Sequence, residues 1–223
     1  KTIEALKSSQ YACIDVRSID QLATSAMEVD VDRISMPTTA GTLSPADVLS
    51  GEKLEQFLNM HVDIPNCSSP TPGWPRACHM IKEGHELSLY KKLLSARMCV
   101  LIPCEHAIRD SAGKIVSGGL FCVPHKEHSD RLINDRRPFN SWEGNLQWAR
   151  LPHGSQLTQL VLGKHQSIRG SGDDLQNYFY ILEHLKEWQP RNTIGSPVHG
   201  SDFLEFGATA GEKYMLAFRV VCM

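Results

Sequence analysis

The stretch KIVSGGLFCVPHKEHSDRLIND, residues 114–135, sets two apolar runs on either side of a short polar segment. Such runs, rich in β-branched and aromatic residues and separated by a Ser/Asp turn, read as a β-hairpin. His128–Asp130 supply the turn and Arg131 onward the returning strand. Gly118 and Gly119 put a bend in the first strand. The tip is charged: Lys126 and Arg131 flank the turn, and Arg136 and Arg137 follow. Arginine offers planar, bidentate donors and lysine a mobile point charge, so a hairpin presenting both can clamp a polyphosphate. The plain alternative is a solvated hairpin with ordinary surface charge.

The hairpin sits among other short apolar runs. CVLIP (99–103), QLTQLVLG (156–163) and residues 213–222 read as strands. EGHELSLYKKLLSARM (83–98) repeats apolar residues at 87, 89–90, 93–94 and 98, which predicts a helix. A second helix is predicted from Ser44 as N-cap and Pro45 at the first position, running through ADVLSGEKLEQFLNM. ISMPTTAGTLSPAD (34–47) reads as a linker, and DIPNCSSPTPGWPRAC (63–78), with its four prolines, as a loop. Helices mixed with antiparallel-looking strands predict an α+β fold. The chain divides into a partly helical N-terminal segment, 1–84, and a second region, 85–223. The terminal YMLAFRVVCM reads as a strand cut off before its partner. With Lys1 as the first residue, that ending suggests a piece of a longer protein.

Composition narrows the class. Hydrophobic residues make up 41% and charged residues 22%, ordinary for a soluble globular protein. No apolar run approaches the roughly 18 residues of a membrane span, so no membrane partner is expected. Seven cysteines without a secretory signal predict reduced thiols and a cytoplasmic or nuclear setting. Residues 1–63 carry 5 Lys+Arg against 10 Asp+Glu, and the remainder 18 against 15. This modest basic excess is not that of a DNA-coating protein, but it admits an enzyme gripping nucleic acid along one groove.

SIRGSGDDLQNYFYIL, residues 167–182, places two adjacent carboxylates after a glycine. Gly-Asp-Asp in viral RNA polymerases lies between two hydrophobic strands, whereas KHQSIRGSG is polar and the following residues are amphipathic and helical. A short helix is predicted from near Leu175. Asp173 or Asp174 could simply cap it and favour its dipole.

Taken together, the hairpin and this stretch resemble the fingers and first palm motif of retrotransposon-type reverse transcriptases. The fingers pattern, Val-Pro-x-Lys, a polar turn, then Arg-Leu-x-x-Asp-x-Arg-x-x-Asn, is met by Val123, Pro124, Lys126, Arg131, Leu132, Asp135, Arg137 and Asn140. The palm pattern Asp-Leu-x-x-x-aromatic-aromatic resembles DLQNYFY, with Asp174, Leu175, Tyr178, Phe179 and Tyr180. LYKKLLSARMCVLIP resembles the helix and strand leading into the fingers. The resemblance covers about residues 85–223.

It implies templated transfer from deoxynucleotide triphosphates onto an RNA or DNA template-primer, with two magnesium ions bridged by carboxylates. Asp174 is implied as a catalytic metal ligand. Lys126 and Arg131 are implied to neutralise the triphosphate, and Phe179 to lie under the sugar and exclude a 2′-hydroxyl. Core packing is the competing role for Phe179, and Asp135 and Arg137 are expected only to pair and hold the hairpin. The aromatic-x-Asp-Asp motif that supplies the remaining metal carboxylates is absent from the sequence, as is the Gln-Gly segment before it. One carboxylate cannot hold two metal ions, so this chain alone is expected to be inactive.

Two other functions remain open at this level. One is a non-catalytic nucleic-acid-binding remnant. The other is a zinc-stabilised interaction domain using Cys99, Cys104, Cys122, His125 and His128, with Cys67, Cys78 and His79 a weaker set. Neither a phosphate-binding glycine loop nor a local Cys/His nucleophile signature is present.

Overall fold

The structure is a computed structural model that describes residues 25–63, 73–141, 143–144, 159–172 and 177–222. It mixes helix and sheet. In chain order the elements are β1 (Ile34–Ser35), α1 (Gly51–Asp63), α2 (Glu86–Ser95), β2 (Cys99–Pro103), β3 (Gly119–Lys126) and β4 (Ser129–Asp135). They continue with α3 (Arg137–Asn140), α4 (Tyr178–Ile181), β5 (Thr193–His199) and β6 (Lys213–Phe218). Short 3-10 turns connect several of them.

α2 forms where the apolar spacing predicts it. Leu89, Tyr90, Leu93 and Leu94 are buried along one stripe, while Leu87 falls off it and is exposed. The helix ends in a Schellman motif: Met98 N–H bonds Leu93 O at 2.9 Å and Arg97 N–H bonds Leu94 O at 2.9 Å. Arg97 takes the left-handed position there, with φ 59°, where glycine is usual. That sharp stop turns the chain directly into β2.

Two three-stranded sheets follow. The first has the order β1-β4-β3, with β3 and β4 forming the expected antiparallel hairpin and β1 parallel to β4. The second has the order β2-β6-β5, antiparallel throughout. They meet at Gly118, whose N–H bonds Thr193 O at 2.7 Å and whose carbonyl accepts from Gly195 N–H at 3.1 Å. One core cluster joins the α2 stripe to Leu120, Cys122 and Leu132 of the first sheet and Ile194, Leu216 and Phe218 of the second. Ile102, Met215 and Ala217 form a smaller cluster with Ala107.

Several expectations need correction. The strand at 213–222 was expected to lack its partner, but β6 is the middle strand, paired to β2 on one side and β5 on the other. Its continuous apolar run fits that place: Tyr214 through Phe218 are all buried. The helix from Ser44 is broken. Pro45–Asp47 form a 3-10 turn, and α1 starts separately at Gly51, whose φ of 56° reverses the chain between them.

Residues 34–47 are no free linker. Ile34 and Ala40 are buried, Ala40 N–H bonds Ala96 O at 2.8 Å, and Gly41 N–H bonds Tyr180 O at 2.8 Å. Val29 and Val31 join the same core, so the described part of the N-terminal segment packs with the later region. The strand expected over 156–163 is absent from its described part, 159–163. Those residues are exposed and pair with no ladder, with Val161 89% exposed. An apolar run becomes a strand only where a sheet edge and a buried face receive it.

Candidate functional site

The hairpin builds the site. β3 and β4 pair in register from Gly119–Asp135 to Pro124–Asp130, then shift so that Lys126 faces Ser129. The extra residue at His125 is a bulge. Its consequence follows from the two-residue period of a strand. Unshifted, Lys126 would share the face of Asp130, Leu132 and Cys122, which is buried. Shifted, it shares the face of Ser129 and Arg131. Lys126 and Arg131 then become diagonal neighbours, about 7–8 Å apart at the backbone. Arg131 Nη2 lies 3.3 Å from His125 Nδ1, a second nitrogen donor or acceptor on the same patch. Among the described residues neither Lys126 nor Arg131 makes an ion pair.

The opposite face is anchored. Buried Asp130 receives Arg33 in a bidentate pair, Nε to Oδ2 at 2.8 Å and Nη2 to Oδ1 at 3.2 Å. Arg33 Nη2 also reaches Glu127 O at 3.4 Å, which ties the turn itself. At the hairpin base, Asp135 accepts from Arg137 Nη2 at 2.6 Å and from Cys78 N–H at 2.6 Å. Burial pushes its carboxyl up, but these donors more than offset that and hold it below the usual range. Asp135 and Arg137 thus pair as expected. Gly119 is required beside them: a Cβ there would fall on the carbonyl of Cys78.

Asp174 and its neighbours 173–176 lie outside the described residues. The chain is described again from Asn177, whose φ of 56° makes it the left-handed N-cap of α4. The start expected near Leu175 and the caps expected at Asp173 or Asp174 lie outside the described residues; the described helix starts at Tyr178 with Asn177 as its N-cap. Its two aromatics part company. Tyr180 is 4% exposed, and Phe179 is 43% exposed. Core packing, the competing role for Phe179, is taken by Tyr180. Phe179 instead touches Tyr178 edge-on, with ring centroids 5.8 Å apart.

Tyr180 also links α4 to the hairpin. Burial drives its phenol up to about 12, and the nearby Cys222 thiol adds to this while Arg131 opposes it. The α4 backbone is held on the other side by Gly41, Thr42 and Leu43, whose N–H groups bond Tyr180 O and Ile181 O at 2.8–3.0 Å. The structure sets Lys126 and Arg131 on one face of the hairpin and leaves Phe179 at the surface of α4.

Among the described residues the cysteines and histidines do not gather. Cys99 and Cys122 are buried in different sheets, and burial pushes both thiols up, Cys122 to about 11. His128 is exposed at the hairpin turn. Among the described residues no group of three or more His, Cys, Asp or Glu side chains could hold a metal ion. Cys67 lies outside the described residues. His79 is tied elsewhere: its Nδ1 accepts from Leu120 N–H at 3.1 Å.

Sequence reasoning missed Arg33 and the bulge. Arg33 is 97 residues from Asp130, and nothing local marks the pair. The bulge had a signal in Pro124, since proline within a strand belongs to edges and bulges. Among the described residues no helix is long and apolar enough to cross a membrane.

No protein-family model matches the chain, and no curated protein matches it.

Proposed function

We propose that this chain forms the fingers and the opening of the palm of a reverse-transcriptase-like, right-hand polymerase. In the complete protein it serves templated transfer from deoxynucleotide triphosphates onto a nucleic-acid primer. The observation that carries this reading is the bulged hairpin, which sets Lys126 and Arg131 as diagonal neighbours on an outward face. Two unpaired cations at that spacing suit a magnesium-bound triphosphate. The exposure of Phe179 supports its role under the sugar, because a ring buried in the core could not meet a nucleotide.

Asp174 is the residue that the resemblance assigns to magnesium. Asp174 would hold one of the metal ions, and the chemistry that pair would supply is activation of the primer hydroxyl and stabilisation of the departing pyrophosphate. The second carboxylate pair is not in this sequence, so the chain by itself is inactive and its own residues bind and orient the triphosphate.

The test is to sequence the transcript beyond Met223. A Gln-Gly segment followed by aromatic-x-Asp-Asp between apolar strands supports the reading. A stop codon or unrelated sequence sinks it and leaves nucleic-acid binding without catalysis.

A further inference from the structure

Away from the hairpin tip, Trp74, Arg76, Asp110 and Lys114 line a cleft with Gly73 at its rim. Its two walls come from distant parts of the chain. One is the irregular segment 73–78, which ends with the carbonyl of Cys78 against Gly119. The other is the tight turn at 110–114, closed by the Arg109–Ile115 bridge. Asp110 builds that turn, its Oδ1 accepting from Ala112 N–H at 3.0 Å and Lys114 N–H at 2.8 Å. Its carboxylate is therefore occupied in shaping the wall.

The remaining groups are an aromatic ring and two cations. Lys114 Nζ lies 5.9 Å from the centroid of Trp74, at cation–π distance. Among the described residues neither Lys114 nor Arg76 makes an ion pair. Both walls join the fold at the Gly119 end of β3, about 23 Å along that strand from Lys126 at 3.3 Å per residue. The cleft is thus separate from the triphosphate clamp.

We infer that this cleft is a binding site for single-stranded nucleic acid, with one unpaired base stacked on Trp74 and flanking phosphates held by Arg76 and Lys114. A ring beside mobile cations is the combination that sequence-tolerant single-strand binding uses. The lysine stem is flexible, so a base takes its place over the ring while the ammonium swings to a phosphate. An acidic peptide would meet the same cations but gain little from the ring. The inference goes beyond the polymerase reading, which can fail with this site intact.

The test is fluorescence-anisotropy titration of the full chain with a labelled oligo-dT of about a dozen nucleotides, over a range of salt. Trp74→Ala is expected to weaken binding about tenfold and Trp74→Phe to restore most of it. The double variant Arg76→Ala, Lys114→Ala is expected to lower the slope of log K against log salt by about 1.4, two phosphates' worth for a single strand. Lys53→Ala, at an exposed lysine of α1, leaves this slope unchanged by the same measure. Unchanged affinity in Trp74→Ala, an unchanged slope in the double variant, or equal binding of a poly-Glu peptide would overturn the assignment.

Discussion

The hydroxyl of Tyr90 occupies the space that a side chain on Gly195 would need. Gly195 also has a φ of 66°, a conformation that disfavours any Cβ. Tyr90 cannot step aside, since its ring is fully buried and its hydroxyl donates to Glu86 Oε1 at 2.8 Å. This contact lies where the two sheets meet, because Gly195 N–H bonds Gly118 O. Gly195→Ala should therefore destabilise by about 2–4 kcal/mol, strain and overpacking together. Removing the hydroxyl with Tyr90→Phe should recover part of the loss. Urea unfolding of the two single variants and the double would show it, and strict additivity would count against the contact.

If Lys126 and Arg131 form the proposed triphosphate clamp, binding should separate from stability. Lys126 is exposed and Arg131 is half-buried on the outer face. Lys126→Ala and Arg131→Ala should each change stability by only about 0.5 kcal/mol. Binding of a magnesium–deoxynucleotide triphosphate should fall about tenfold in each and further in the double variant, as befits charge-assisted contacts worth roughly 1.5–3 kcal/mol. Equilibrium dialysis with a radiolabelled triphosphate would measure it. A variant that binds as wild type would remove that residue from the clamp.

The base of the hairpin should respond to acid. Asp135 is nearly buried, and its carboxylate serves Cys78 N–H as well as Arg137. Asp135→Ala strands the Cys78 donor and should cost about 1–3 kcal/mol. Because its folded pKa lies below the ordinary carboxylate value, its contribution is full above that value. It is lost as pH falls through the folded pKa. Thermal melts of wild type and Asp135→Asn between pH 5 and about 2 should converge at the acid end. Parallel curves would mean that Asp135 adds no pH-linked stability.

His184 works in a higher window. Burial, with Arg136 adding to it, lowers its pKa from 6.5 to about 4. The folded state thus keeps the ring neutral while the unfolded chain takes up a proton. Stability should fall as pH drops from about 6.5 to about 4, by roughly 3 kcal/mol at most. His184→Gln should flatten that part of the profile in urea titrations. A wild-type profile already flat there would refute the desolvated, neutral ring.

Those pairs also mark what could be read from sequence. The hairpin, β2 and α2 were legible because each is local: a two-residue period around a turn, or a helical stripe closed within four turns. The order β2-β6-β5 was not, since a terminal apolar run looks the same whether its neighbours lie behind it or ahead. The failed strand at 159–163 shows the converse, an apolar run with no edge to join. At the site, Lys126 and Arg131 were found by type and spacing. What sets them on one face is a bulge, and what braces them from behind is Arg33, distant in sequence.

The last prediction rests on the two adjacent aromatics of α4. Tyr180 is packed in the core, within electrostatic reach of Arg131, while Phe179 is open to solvent. Tyr180→Ala should cost about 3–5 kcal/mol, as for other large buried rings. Phe179→Ala should cost only about 0.5 kcal/mol, as at an exposed position. If the fingers-and-palm reading is right, the functional order is reversed. In the complete polymerase, Phe179→Val should leave folding intact but admit ribonucleotides by opening room for a 2′-hydroxyl, raising their relative incorporation roughly tenfold or more. Primer extension with ribo- and deoxynucleotides in competition reads that ratio directly. An unchanged ratio would return Phe179 to an ordinary surface aromatic, and the case for a sugar-sensing residue would go with it.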